Sequence, residues 1–214
     1  MIRAVIFDLD GVIVDTAHYH FVAWQRLAKE LGISFTEKEN ERLKGVSRMR
    51  SLEIILEIGG VSLPEEKKEE LATKKNSWFV EYIEAIKPDE IFSGVREMLS
   101  SLRQQGFKVA LASSSKNAET VLRLLQIKPL FDTVVDGTMI THSKPDPEIF
   151  LLAASKLGIE PNQCVVFEDA EAGVEAALAA GMKCVGVGSA DQLGKADAIV
   201  NSTADFRIEN LHSL

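Results

Sequence analysis

Apolar residues in this chain come in short unbroken runs, most of them stopping at a polar residue. "AVIF" (4–7) runs into Asp8, and the same shape recurs at "KVALA" (108–112), "TVVD" (133–136), "CVVF" (164–167) and "CVGV" (184–187). Runs of this length predict strands, and the lack of polar alternation predicts a sheet buried on both faces. Between the later runs the period changes to that of a helix. In "GVREMLSSLRQQG" (94–106) Val95, Met98, Leu99 and Leu102 share one face, and 118–127, 147–158 and 170–181 repeat the pattern. Strands alternating with helices of this length imply right-handed crossovers and a parallel α/β sheet covered on both sides.

One interval breaks the alternation. From Thr16 to Lys87 the pattern is helical throughout, with "AHYHFVAWQRLAKELG", "EKENERLKG", "SRMRSLEIILEIGG" and "LPEEKKEELATKKNSWFVEYIEAI" in succession, before Pro88 closes the segment. The chain thus predicts an α/β domain over 1–15 and 88–214, with an all-helical domain over 16–87 inserted after the first strand. "PEEKKEE" predicts a solvated helix face rather than a binding tract. No internal repeat or low-complexity segment interrupts this plan.

Composition narrows the partners. The chain has 214 residues, 46% of them hydrophobic and 26% charged, as in ordinary globular proteins. A formal charge of −8 speaks against nucleic acid, and it requires any phosphate site to be locally basic. No apolar run has the length of a membrane span, and the first residues lack a signal pattern. Cys164 and Cys184 fit no zinc spacing. They are expected to be buried free thiols of a reducing, cytoplasmic compartment.

In an open α/β sheet, ligands bind where the strands end, so polar residues at the run ends carry the chemistry. Asp8 and Asp10 follow the first run, Ser113 to Asn117 ("SSSKN") the second, and Glu168 with Asp169 the fourth. Lys144 lies in "HSKPDPEIF", ahead of a helix that Pro147 can start. Asp8, Glu168 and Asp169 would form an all-oxygen site suited to Mg²⁺, and without a cation they would repel one another. A carboxylate on such a metal can take a phosphoryl group as an aspartyl phosphate. Asp10 is then free as general acid or base, Lys144 neutralises charge, Ser113 binds phosphoryl oxygens, and Gly11 allows a sharp turn. Each element alone is weak: most D-x-D pairs are surface acids, and an E-D pair before a helix is often a cap. Their shared place after successive strands makes the joint reading specific.

"FDLDGVIVDT", a serine after an apolar strand, "SKPDPEIF" and "FEDAEAG" together resemble the haloacid dehalogenase superfamily. The resemblance implies a Rossmann-like core with an inserted four-helix cap. It implies Asp8 as nucleophile, Asp10 as acid/base, and one Mg²⁺ per chain on Asp8, Glu168, Asp169 and the Asp10 carbonyl. Ser113 and Lys144 would hold the transferring phosphate.

The cap loop "LKGVSR" (43–48) carries Lys44, Gly45, Val46 and Arg48. By chemistry alone it is a basic turn, either solvated or able to grip a second phosphate or sugar hydroxyls. With "ALASSSKN" and "DTAHYHFVAW" it resembles the superfamily's sugar-phosphate mutases. That resemblance implies interconversion of β-glucose 1-phosphate and β-glucose 6-phosphate, with β-glucose 1,6-bisphosphate as intermediate and activator. Substrate contacts would fall to Asp10, Lys44, Arg48 and the loop Ser114, Ser115, Lys116 and Asn117, with Gly45 and Val46 on the sugar. Trp24, Lys75 and Asn76 would face the cleft, and Thr16 and His20 would place Asp10 at the hinge. For His20 and Trp24 simple helix packing stands as the alternative. The family pattern has alanine where this chain has Ser114, and the last helix, near "FRIENLHSL", looks short. A monomer acting on a small phosphosugar, away from membranes, is expected. Two rival functions remain: a sugar-phosphate phosphatase of the same fold, and a signalling module merely phosphorylated on aspartate.

Overall fold

A computed structural model describes residues 1–214, the side chain of His212 excepted. Six strands form one parallel sheet: β1 (Ala4–Phe7), β2 (Lys108–Ala112), β3 (Thr133–Val135), β4 (Cys164–Glu168), β5 (Lys183–Val187) and β6 (Ala198–Val200), ordered β3-β2-β1-β4-β5-β6. The chain winds outward from β1 to β3, returns to the other side of β1, and winds out again. The reversal lies between β1 and β4, the crevice at which such sheets bind ligands.

Alternate strand residues feed two cores. Val5, Phe7, Val109, Leu111, Val165 and Phe167 face the side covered by α5 (Val95–Gln104) and α6 (Ala118–Leu124). Ala4, Ile6, Ala110, Ala112 and Val166 face α7 (Glu148–Leu157) and α8 (Glu171–Ala179). The helices change faces where the winding reverses, as right-handed crossovers require.

Four helices occupy the insert: α1 (Ala17–Glu30), α2 (Glu37–Asn40), α3 (Arg48–Gly59) and α4 (Glu65–Ile83). α4 packs against both α1 and α3, and Leu27, Leu52, Ile55 and Phe79 are fully buried there. The two chain passages between insert and sheet run side by side: Phe92 N–H donates to Ile13 O at 2.9 Å, and Val14 bridges Ile91.

Several expectations shift. The strand β6 goes beyond the runs read from the sequence: its apolar stretch, Ala198–Val200, is only three residues long and lies half-buried at the sheet edge. "EKENERLKG" makes a single α-helical turn continued by a 3-10 turn over Glu41–Leu43. The helix expected over 118–127 stops at Leu124, and Gln126 then takes a left-handed conformation, φ 56°. Pro147 caps α7 rather than opening it. The short last helix is a 3-10 turn, Ile208–His212. Both cysteines are buried and free, and no helix is long and apolar enough to cross a membrane among the described residues.

Candidate active site

Strand register brings the polar run ends together. Phe7 is paired with Leu111 on one side and Phe167 on the other, so Asp8 emerges level with Ala112 and Glu168, and Ser113 follows one residue beyond Ala112. Lys144, from the segment between β3 and α7, closes the group from below. Its ammonium donates to Asp8 Oδ1 at 2.6 Å, Glu168 Oε2 at 2.8 Å and Ala112 O at 3.4 Å. All three protons are used, and the side chain is fully buried. Burial works against its charge, but Asp8 and Glu168 outweigh it and hold the ammonium above the ordinary lysine value.

One lysine does not balance the acids around it. Oxygens of Asp8, Glu168 and Asp169 lie within 4.8 Å of one another. Burial, opposed by Lys144 but reinforced by Asp8 and Asp169, pushes Glu168 up to about 8. Burial and Asp8 push Asp169 up to about 7. These shifts describe surplus negative charge in an oxygen-only donor set, the chemistry that a hard divalent cation satisfies. The backbone makes room for the set as well. Gly11 has φ 79°, and a Cβ there would run into the Asp169 carboxylate. A Cβ on Gly173 would run into Glu168. The residues present therefore fit Mg²⁺, with Asp8, Glu168 and Asp169 as side-chain donors.

Asp10 has a different environment. The Thr16 hydroxyl donates to its Oδ1. Burial, then the Asp8 charge, raises Asp10 to about 6 in spite of Thr16 and Lys144. His20 Nε2 lies 3.9 Å from the same oxygen. Its other ring nitrogen, Nδ1, is 2.7 Å from Lys75 Nζ. An ammonium donating to Nδ1 puts the neutral ring's proton on Nε2, facing Asp10. Burial, Lys75 and Arg48 lower the His20 value well below that of a free imidazole, which keeps the ring neutral. The ring stacks on Phe79 with centroids 3.8 Å apart.

A cavity of 480 Å³ lies between sheet and insert, and Asp8, Asp10 and Asp169 line it opposite Arg48, Lys75 and Trp24. Lys75 is 2% exposed, its ammonium 4.5 Å above the Trp24 ring. Burial, with Arg48 next, holds Lys75 well below the ordinary lysine value. Among the described residues, no carboxylate comes within ion-pair distance of Arg48. Arg48 is thus the cation on this wall left without an acidic partner.

Lys44, Gly45, Val46, Ser114, Ser115 and Lys116 also line the cavity. Thr16, Ser113, Lys144 and Glu168 lie buried behind its wall. Asn76 and Asn117 are joined to each other at the seam by a 2.8 Å hydrogen bond. Lys44 sits nearer the acids than the sequence suggests, 3.7 Å from Asp169 and 3.0 Å from Glu41. Sequence reasoning missed Asn40, Ser51, Glu69 and Thr73, which also line the cavity. Ser51 and Thr73 lie four residues from Ser47 and Glu69, a helical spacing that could have shown shared faces.

The comparisons with known proteins agree with this geometry. The chain belongs to the haloacid dehalogenase-like hydrolase family, whose model matches residues 2–181. Within that class it is 45% identical to the β-phosphoglucomutase of Bacillus subtilis, over 98% of this chain and 94% of the relative. A phosphorylated carbohydrates phosphatase of Thermotoga maritima is 38% identical, over 85% of this chain and 82% of the relative. The crystal structure of a β-phosphoglucomutase from Clostridium difficile superposes with a TM-score of 0.96 at 44% identity, covering 100% of this chain and 96% of that one. Family and relatives together make this chain an enzyme of phosphoryl transfer.

Proposed function

We propose that this chain is a β-phosphoglucomutase, interconverting β-glucose 1-phosphate and β-glucose 6-phosphate through a phospho-aspartyl enzyme and β-glucose 1,6-bisphosphate. One observation carries the reading: the cavity has acids gathered around Asp8 at one end, while Arg48, which has no carboxylate partner among the described residues, lines it together with Ser115 and Lys116. Hydrolysis of a monophosphate needs one anion site, whereas a bisphosphate turned end for end needs two. The likeness to two β-phosphoglucomutases supports the same substrate.

In this reading Asp8 is the nucleophile and Asp10 the acid/base. Phospho-Asp8 gives its phosphoryl group to the sugar hydroxyl: the new P–O ester bond forms, the acyl phosphate bond breaks, and Asp10 takes the hydroxyl proton. The bisphosphate reorients. Asp8 then takes the other phosphoryl group, and Asp10 returns the proton to the departing sugar oxygen. Such proton transfer contributes about 10²–10⁴-fold. Thr16 and the neutral His20 orient Asp10, and Lys75 fixes the His20 tautomer. Lys144 and Ser113 hold the transferring group. The distal phosphate falls to Arg48, Ser115, Lys116 and Asn117, and the sugar to Lys44, Gly45, Val46, Trp24 and Asn76. Bound Mg²⁺, on Asp8, Glu168, Asp169 and the Asp10 carbonyl, supplies charge neutralisation for a phosphoryl group in flight. Residues 16–87 act as a cap that keeps water from the acyl phosphate, over a core formed by 1–15 and 88–214. The enzyme works as a monomer, and in the cytoplasm, a location supported by its two buried free thiols.

Hydrolysis is the second reading, favoured by the Thermotoga maritima phosphatase relative. Labelled phosphoenzyme, made with radiolabelled acetyl phosphate and Mg²⁺, separates the two. On addition of β-glucose 1-phosphate the label should pass into sugar bisphosphate. Label found only as inorganic phosphate would establish the phosphatase.

A further inference from the structure

Three consecutive serines follow β2, and their hydroxyls do different things. Ser113 Oγ accepts from Ser115 N–H at 3.1 Å, and Ser115 Oγ accepts from Asn117 N–H at 3.2 Å. Both stabilise their own loop. Ser114 Oγ instead donates to Gly45 O at 2.8 Å, a partner in the inserted helical segment. The geometry points to Ser114 as a positioning residue that latches the cap loop shut over Asp8.

Both ends of this bond are held firmly. On the core side, Gly137 packs so closely that a Cβ there would run into the Ser114 carbonyl oxygen. Ser114 cannot retreat in that direction. On the cap side, Gly45 has φ 74°, and a Cβ there would sit 3.3 Å from Ala170 Cβ and 3.6 Å from Lys144 Cδ. Gly45 is thus where the cap loop rests on the stem of Lys144, the residue that holds Asp8. A short bond between two braced points fixes the loop's height above the nucleophile.

Two other contacts near the cap loop cannot serve this purpose through a full cycle. Lys44 reaches Asp169 at 3.7 Å, but Asp169 belongs to the donor set for the metal, so that attraction weakens once a cation is bound. Asn76 and Asn117 are joined at 2.8 Å, yet Asn117 is assigned to the distal phosphate. The Ser114–Gly45 bond is neutral: the Ser114 hydroxyl, expected from the sequence to contact substrate, is here spent on Gly45 O, and although Gly45 is assigned to the sugar, neither group belongs to the metal donor set or the distal phosphate site. Its strength in the closed form therefore does not depend on the charge that occupies the site. One neutral hydrogen bond of this kind shifts the balance of closed and open cap by roughly two- to tenfold. Water reaches the acyl phosphate in the open form, so Ser114 sets how much phosphoenzyme is lost to hydrolysis.

The latch rests on the phospho-Asp8 reading, and on the mutase reading only for the acceptor. Its test compares wild type, Ser114→Ala and Ser114→Thr after phosphorylation with acetyl phosphate and Mg²⁺, following phosphoenzyme lifetime in the absence of sugar. Ser114→Ala should shorten the lifetime roughly two- to tenfold, and Ser114→Thr, which keeps the hydroxyl, should restore it. With β-glucose 1-phosphate present, Ser114→Ala should raise free phosphate relative to glucose 6-phosphate by a similar factor. Equal lifetimes for wild type and Ser114→Ala would overturn the latch, as would equal shortening by both variants. A wild type that releases phosphate and makes no glucose 6-phosphate would overturn the mutase reading instead, and the lifetimes alone would then decide the latch.

Discussion

Asp8 and Lys144 illustrate how single residues set the chemistry. A carboxylate two residues before another, at the end of a buried strand, is costly unless its charge is matched. Lys144 at 2.6 Å matches part of it, and the remaining surplus is what favours a divalent cation. Removing the Asp8 carboxylate removes nucleophile and donor together, so Asp8→Ala should lower glucose 6-phosphate formation by at least about 10⁴-fold. Activity near wild type in that variant would exclude Asp8 as the nucleophile. Asp10 carries a pH signature. Its carboxyl is raised to about 6 by burial and by Asp8, and it must be deprotonated to accept the sugar proton. As pH falls through that value the base is lost, so single-turnover transfer from phosphoenzyme to sugar should drop about tenfold per unit below it. A transfer rate that stays flat well below that pH would assign the proton to another group.

At the scale of elements, the α3 entrance and α4 bring the distal cations to the cavity. Ser47 caps α3, its Oγ accepting from Arg50 N–H at 3.2 Å, which fixes where Arg48 begins the helix. Arg48→Ala removes a charged partner worth about 1.5–3 kcal/mol, or roughly 10- to 150-fold. That loss should fall on transfer to the sugar far more than on aspartyl phosphate formation from acetyl phosphate. Equal losses in both assays would show that Arg48 does not hold the distal phosphate. This scale is also where sequence and structure part. The strand-end acids were legible because an unbroken apolar run ending in aspartate demands a tertiary partner. Lys75 was less so, since it stands in "TKKN" beside Lys74, which is exposed and paired with Glu30 at 2.6 Å. The signal was its phase: Leu71, Lys75 and Phe79 share one helix face, and all three are buried. The Ser114–Gly45 bond left no trace in the sequence, because its acceptor is a backbone carbonyl 69 positions away.

For the molecule as a whole, the order β3-β2-β1-β4-β5-β6 places a reversal of winding beside Asp8, and the insert after β1 covers that point. The parallel sheet and its helical faces were readable from period alone. The edge strand β6 was not, because an apolar stretch of only three residues is too short to stand out as a strand. Metal binding should register in global stability. Glu168 and Asp169 have folded values of about 8 and 7, above those of unfolded carboxyls. Without metal they stay protonated at low pH and cost stability as pH rises through those values. Mg²⁺ should therefore raise the melting temperature more above pH 8 than below pH 7. At a hundredfold excess over Kd the gain is about 2.7 kcal/mol, roughly 5–10 °C for a chain of this size. A Mg²⁺ shift that shrinks with rising pH would contradict the three-carboxylate site. The central claim is a phosphoryl group moved between two positions of one sugar under a closed cap. Its most direct test supplies β-glucose 1-phosphate, Mg²⁺ and a trace of β-glucose 1,6-bisphosphate, and follows glucose 6-phosphate and free phosphate together. The account predicts glucose 6-phosphate with little phosphate release; phosphate release without glucose 6-phosphate would contradict it.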